Sequence, residues 1–126
     1  MEATLSIFKA LSDRNRLRIV GVLLTHSELC ACQITELLQL AGATVSRHLG
    51  IMVQAGVLKN RRQGRWIYFR LNPDNKNLEP LLAWIRQQFG RSDQWSQDLD
   101  TVDQILRIPC EDLCRKQKRG TDCSDT

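Results

Sequence analysis

Residues 31–71 constrain this chain more than any other segment. Two short amphipathic stretches separated by a glycine break lead directly into two strand-forming runs around a tight turn. The first stretch, about Cys32 to Leu40, places Ile34, Leu37 and Leu38 on one helical face. The second, about Gly42 to Gln54, carries Val45, Leu49, Met52 and Val53 at i, i+4, i+7 and i+8, the inward stripe of a helix. Gly56 stands where a glycine ends a helix. Val57 to Arg61 and Arg65 to Leu71 then flank Arg62-Gln63-Gly64, a short glycine-containing turn. The second run is rich in aromatic and branched residues, which suit a pleated, half-buried surface.

Helix, tight turn, helix and hairpin is the order of a winged helix-turn-helix, a mainly α fold with a small β-hairpin (α+β). The flanks agree with it. Leu5, Ile7, Phe8 and Leu11 predict a first helix. Ser12 and Asp13 are cap residues opening a second, through Leu17, Ile19, Val20, Leu23 and Leu24, with Arg14, Arg16 and Arg18 on its wetter side. A fifth helix, about Asn77 to Phe89, carries Leu78, Leu81, Leu82, Ile85 and Phe89, widened by Trp84. A face this apolar in so small a domain predicts a partner surface. Residues 1–90 therefore read as a DNA-binding and dimerisation domain. Residues 91–126 read as a C-terminal extension: a short helix through Trp95, Leu99, Val102 and Leu106, then a piece opened by Pro109 and stopped by Gly120, ending in a mobile tail.

Charge supports a nucleic-acid partner. The chain carries +4 over 126 residues, but residues 1–90 hold 12 Lys or Arg against 6 Asp or Glu, while residues 91–126 hold 6 against 8. Arg47, Lys59, Arg61, Arg62, Arg65 and Arg70 form a run without a single acid. In the fourth helix Thr44, Ser46, Arg47 and His48 supply donors and acceptors near its N-terminal end. Arg47 suits a guanine edge, Thr44 and Ser46 a phosphate or thymine methyl, and His48 a phosphate. Arg62 and Arg65 bracket the hairpin turn within reach of a minor groove or the backbone. Ala41-Gly42-Ala43 lacks a side-chain cap, which leaves open a start at Thr44.

A second chemistry stands just ahead of this element. Cys30-Ala31-Cys32 offers two soft ligands, which select soft ions over magnesium or calcium. Two thiolates on one ion must come within about 4 Å, given bonds of about 2.3 Å. On an intact helix residues i and i+2 project about 200° apart. Either this end is already non-helical or binding unwinds it. The odd count of five cysteines, with no secretory signal or apolar span ahead of them, predicts thiols or metal ligands in a cytoplasmic protein, with no membrane partner. Cys-X-Cys is not the Cys-X-X-Cys of a thiol oxidoreductase, and no hydrolytic triad or phosphate loop appears, so an enzyme is not expected.

Three stretches carry a resemblance: Ala10-Leu11-Ser12-Asp13-Arg14-Asn15-Arg16-Leu17-Arg18-Ile19, Glu28-Leu29-Cys30-Ala31-Cys32, and Val45-Ser46-Arg47-His48-Leu49 with Gly64-Arg65-Trp66-Ile67-Tyr68-Phe69-Arg70-Leu71. Over residues 3–90 the chain resembles the ArsR/SmtB metalloregulatory repressors, of the arsenic-sensing kind. The resemblance implies a homodimer paired through the first and fifth helices and bound to an inverted-repeat operator. It implies DNA binding without a cofactor, and release when trivalent arsenic or antimony joins the thiols. The arsenic-type motif often has a third cysteine where this chain has Thr35, so the third ligand is open. Cys110, Cys114 and Cys123 lie in the C-terminal extension, and Cys110 and Cys114, spaced as neighbours on one helix face, are the candidates. Related cadmium and lead sensors use the same pair with cysteines of an N-terminal arm, which this sequence does not carry ahead of its first helix. A cadmium-, lead- or thiol-oxidation-responsive repressor of the same fold is the alternative.

Overall fold

The computed structural model describes residues 1–118. Seven helices and three strands follow in the order α1 (Glu2–Leu11), α2 (Arg14–Leu23), β1 (Leu29–Cys30), α3 (Ala31–Leu38), α4 (Gly42–Gln54), β2 (Leu58–Gln63), β3 (Trp66–Leu71), α5 (Leu78–Phe89), α6 (Asp93–Ile105) and α7 (Cys110–Lys118). Asp13 caps α2: its carboxylate accepts from the backbone N–H groups of Asn15 and Arg16. Helix α4 starts at Gly42 with Ala41 as a cap lacking a side-chain bond, so Thr44 lies inside the helix. It ends at Gly56, whose φ of +80° lies where an L side chain is strained.

The antiparallel sheet has the order β1-β3-β2. Gln63 pairs with Trp66, so Gly64 and Arg65 make a two-residue turn, one residue beyond the expected one. Arg62 consequently lies within β2, opposite Ile67, and Arg65 sits in the turn itself. Strand β1 was not expected. Two residues carry too little periodicity to read, and only the pairing of Leu29 with Phe69 and Cys30 with Tyr68 makes them a strand.

The core runs from Ile19, Val20 and Val22 of α2 through Ile34 and Leu37 of α3 to Val45, Leu49 and Met52 of α4. Parts of the apolar faces of α1 and α5 are not buried. Leu5 is 42% exposed, Phe8 55% and Trp84 57%, placing an apolar surface on α1 and α5. Helix α6 packs on α2 and α3, and α7 on α3. Arg18, expected on the wet side of α2, instead donates from Nε and Nη2 to both oxygens of the buried Asp98 of α6, each at 3.0 Å. Gln94 donates to the same carboxylate at 2.9 Å. Beside this pair Trp95 Nε1 donates to the Gly21 carbonyl at 2.8 Å. A Cβ on Gly21 would stand 2.9 Å from the Trp95 ring, so this close approach requires glycine.

Asp98→Ala strands Arg18 against the core and is expected to cost about 2–3 kcal/mol in urea unfolding. Asp100→Ala, on the exposed side of α6, is expected to cost less than about 0.5 kcal/mol.

Candidate nucleic-acid interface and thiol site

Helix α4 presents Thr44 and Arg47 as exposed residues, with Ser46 and His48 half-buried at the flanks of the same face. Val45, Leu49 and Met52 hold its back against the core. His48 is fixed from behind: Arg16 Nε of α2 donates to its Nδ1 at 3.0 Å. Of the basic run, Lys59 is paired with Asp74. Arg61 is held by Glu28, donating from Nε at 3.0 Å, and lies over the Tyr68 ring at 4.7 Å. That pairing keeps the Glu28 carboxyl below the usual carboxylate range. Arg47 and Arg62 are exposed and make no ion pair among the described residues. Arg65 lies over Trp66 at 4.9 Å and faces Glu111 of α7 at 3.5 Å. The structure thus splits the predicted basic run into residues committed to the fold and residues turned outward.

The second constellation is the cysteines. Cys30 is the N-cap of α3 with extended backbone, φ −81° and ψ 161°, while Cys32 lies in the first helical turn. This end of the helix is therefore already non-helical, which relieves the opposed projection that an intact helix imposes on residues i and i+2. The Cys30 N–H donates to Gln33 Oε1 at 2.9 Å and holds the cap. Helix α7 then covers both sulfurs. Cys110 Sγ lies 3.4 Å from Cys30 Sγ, and Cys32 Sγ donates to Cys114 Sγ at 3.4 Å. Leu113 is fully buried between them in sequence. Gln117 Nε2 donates to the Cys32 carbonyl at 2.9 Å, and Lys116 is paired with Glu36.

Four of the five cysteines thus meet where α3 and α7 touch. Cys123, Arg119 and Gly120 lie outside the described residues. Cys114 is disulfide-bonded, unlike the thiols expected throughout, and enters a thiolate site only after reduction. Among the described residues no three His, Cys, Asp or Glu side chains stand ready to hold an ion. Cys30 bonds to Cys32 as well as to Cys110, and Cys32 to Cys114, so the sulfurs form a chain of contacts rather than one enclosed cage.

Cys30 and Cys110 are held protonated. The hydrogen bond with Cys32 and then burial push Cys30 well above the ordinary thiol range. Burial, and then the bond to Cys30, push Cys110 up to about 11. Tyr68, the β3 partner of Cys30, is raised by burial and by the neighbouring Cys110.

The matching family model is "Bacterial regulatory protein, arsR family", over residues 13–60. The chain is 41% identical over 68 residues to an arsenic resistance transcriptional regulator, ArsR1, of Pseudomonas putida, covering 54% of this chain and 53% of that protein. It is 32% identical over 110 residues to the arsenical resistance operon repressor of Escherichia coli, covering 87% of each. A cadmium resistance regulatory protein CadC homolog of Staphylococcus aureus is 36% identical over 84 residues, 65% of this chain and 68% of that one. Among solved structures, PagR of Bacillus anthracis, titled a transcriptional repressor, superposes with a TM-score of 0.57 at 36% identity, over 67% of this chain and 93% of its own. HlyU of Vibrio cholerae gives 0.62 at 19% identity, over 70% and 92%.

Fold and reading helix together define a winged helix-turn-helix DNA-binding regulator, not an enzyme. The chain belongs to the ArsR family, as a transcriptional repressor.

No helix among the described residues is long and apolar enough to cross a membrane. Sequence reasoning missed Arg16 as the partner of His48. Its only signal was an arginine at the start of α2, which reads equally as a wet-side charge.

Cys110 is expected to react with iodoacetamide slowly at neutral pH, its rate rising toward pH 11 where an ordinary thiol levels off near about 8.5. The unfolded thiol loses its proton first. The stability that the protonated Cys110 contributes is therefore whole below about pH 8.5 and is lost as pH rises through about 11. Thermal melts across that window, with Cys110→Ser as control, check the sign.

Proposed function

We propose that this chain is a cytoplasmic homodimeric repressor that binds an inverted-repeat operator without a cofactor and lets go when trivalent arsenic or antimony joins Cys30, Cys32 and Cys110. The observation that carries the reading is the 3.4 Å approach of Cys110 to Cys30, which brings a tail sulfur to the Cys-X-Cys pair. It supplies the thiolate that Thr35 does not. Thr44, Ser46, Arg47 and His48 read the major groove, and Arg62 and Arg65 hold the flanking DNA. Exposed Leu5, Phe8 and Trp84 on α1 and α5 support the pairing of two copies through those helices.

Release follows from where the sulfurs are anchored. Cys30 belongs to β1, which pairs with the wing strand β3, and Cys32 opens α3, which packs on α4. Pulling these sulfurs and Cys110 onto one atom shifts the wing and the seat of the reading helix together. The ion favours the shifted state because only there are its bonds complete, which is the thermodynamic condition for coupling.

Protonated Cys30 and Cys110 suit a metalloid. Arsenous acid exchanges three hydroxides for three thiols and releases three waters, with no net proton. A divalent cation must expel a proton from each thiol. A second reading rests on Cys114: once reduced, it makes a fourth sulfur 3.4 Å from Cys32, and four sulfurs suit cadmium or lead. Oxidation sensing is the weaker alternative, since protonated thiols are poor nucleophiles.

The test is fluorescence anisotropy on the duplex directly upstream of the chain's own gene, with arsenite, antimonite, cadmium and lead titrated separately against reduced protein. Arsenite is expected to release wild type, and Cys32→Ser and Cys110→Ser are expected to bind DNA normally but stay bound. The arsenite midpoint is expected to be flat between pH 6.5 and 8, whereas a cadmium midpoint falls as pH rises. Release by cadmium alone establishes the second reading. Arg62→Ala is expected to weaken binding and to lower the slope of log affinity against log salt by roughly one.

A further inference from the structure

The structure assigns Arg16 of α2 as a positioning residue for DNA reading, which acts by fixing His48 of α4 as a hydrogen-bond donor. The inference rests on the reading above that His48 faces DNA, and it goes beyond that reading by naming which ring nitrogen acts and what holds it.

A histidine ring usually leaves its tautomer undecided, because either nitrogen can donate. Here the partner decides it. A guanidinium carries five N–H donors and no acceptor. Arg16 Nε donates to Nδ1 of His48 at 3.0 Å, so Nδ1 must present its lone pair. The neutral ring then carries its proton on Nε2. His48 therefore offers the DNA an N–H donor. That donor matches a phosphate oxygen or the acceptor edge of a purine, and does not match an amino group.

Arg16 is itself held on two sides. Its backbone N–H donates to the capping carboxylate of Asp13 at 3.1 Å, and its Nη1 donates to the Lys9 carbonyl at 3.2 Å. The guanidinium thus spans the last turn of α1 and the middle of α4, with its stem on the first turn of α2. It locks the ring orientation, and it ties the reading helix to α1, the helix carrying exposed Leu5 and Phe8.

The chain has two histidines, so both rings can be followed in the whole, 15N-labelled protein. Long-range proton–nitrogen correlation at about pH 8, with His26→Asn for assignment, reads the tautomer directly. Wild-type His48 is expected to be protonated on Nε2 with a hydrogen-bonded Nδ1. In Arg16→Met the Nδ1 signal is expected to move to that of an unbonded acceptor. A wild-type ring protonated on Nδ1 overturns the assignment without any variant.

The second arm is a double-mutant cycle on the upstream duplex. Arg16→Met and His48→Ala are each expected to weaken binding by about tenfold or less, and the double variant to match His48→Ala alone. Losses that multiply mean that Arg16 contacts DNA on its own account, and overturn the proposal. If wild type binds but His48→Ala binds equally well, the placing of His48 at the DNA fails, whatever the tautomer. If wild type does not bind the duplex, the functional reading fails first.

Discussion

The two-residue pairing of β1 with β3 is the contact on which the rest of the molecule depends. It puts Cys30 in a ladder position opposite Tyr68 and ends the extended backbone where α3 begins. One residue is thereby both a strand residue bonded to the wing and the N-cap of the first helix of the DNA-reading unit. A force applied at its sulfur reaches both elements without an intermediate. The same geometry removes the helical obstacle to chelation by Cys30 and Cys32, because a cap residue is not bound to helical projection.

Helix α7 completes what the cap begins. A nine-residue helix is marginal alone, and this one is held by packing: buried Leu113, the Lys116–Glu36 pair and the bond from Gln117 to the Cys32 carbonyl. Those contacts bring Cys110 to Cys30 and dehydrate both sulfurs, adding to the bond with Cys32 that holds the Cys30 proton. Protonated Cys30 and Cys110 are poor nucleophiles. The Glu111–Arg65 contact extends the α7 surface to the wing, but both side chains are about two-thirds exposed and the pair adds little energy.

Much of the DNA-reading unit was legible before the fold was known. The helix over Gly42–Gln54 and its buried stripe follow from apolar spacing, because one face of a helix must be dry. The hairpin follows from branched and aromatic runs about a glycine, although its turn is one residue later than the run boundaries indicate. Cap chemistry placed α2 at Asp13. Less legible were the faces of α1 and α5, where periodicity names an apolar side but not what covers it, and Phe8 and Trp84 stand bare on the single chain. Arg18 reads as a wet-side charge because its partner Asp98, eighty positions away, leaves no local signal.

The sequence by itself determined the local grammar: where helices start and stop, which face of each is dry, which run is basic, and that two soft ligands precede the reading unit. These depend on interactions among residues within a turn or two of one another. Tertiary structure alone decided which thiol lies against Cys30, which basic residues are committed to ion pairs, and which ring nitrogen of His48 is an acceptor. The Lys59–Asp74 pair aside, these contacts join residues 32 or more positions apart. Such contacts exist because burying the apolar sides of α6 and α7 against α2 and α3 brings distant polar atoms within bonding reach, and no spacing along the chain encodes that proximity.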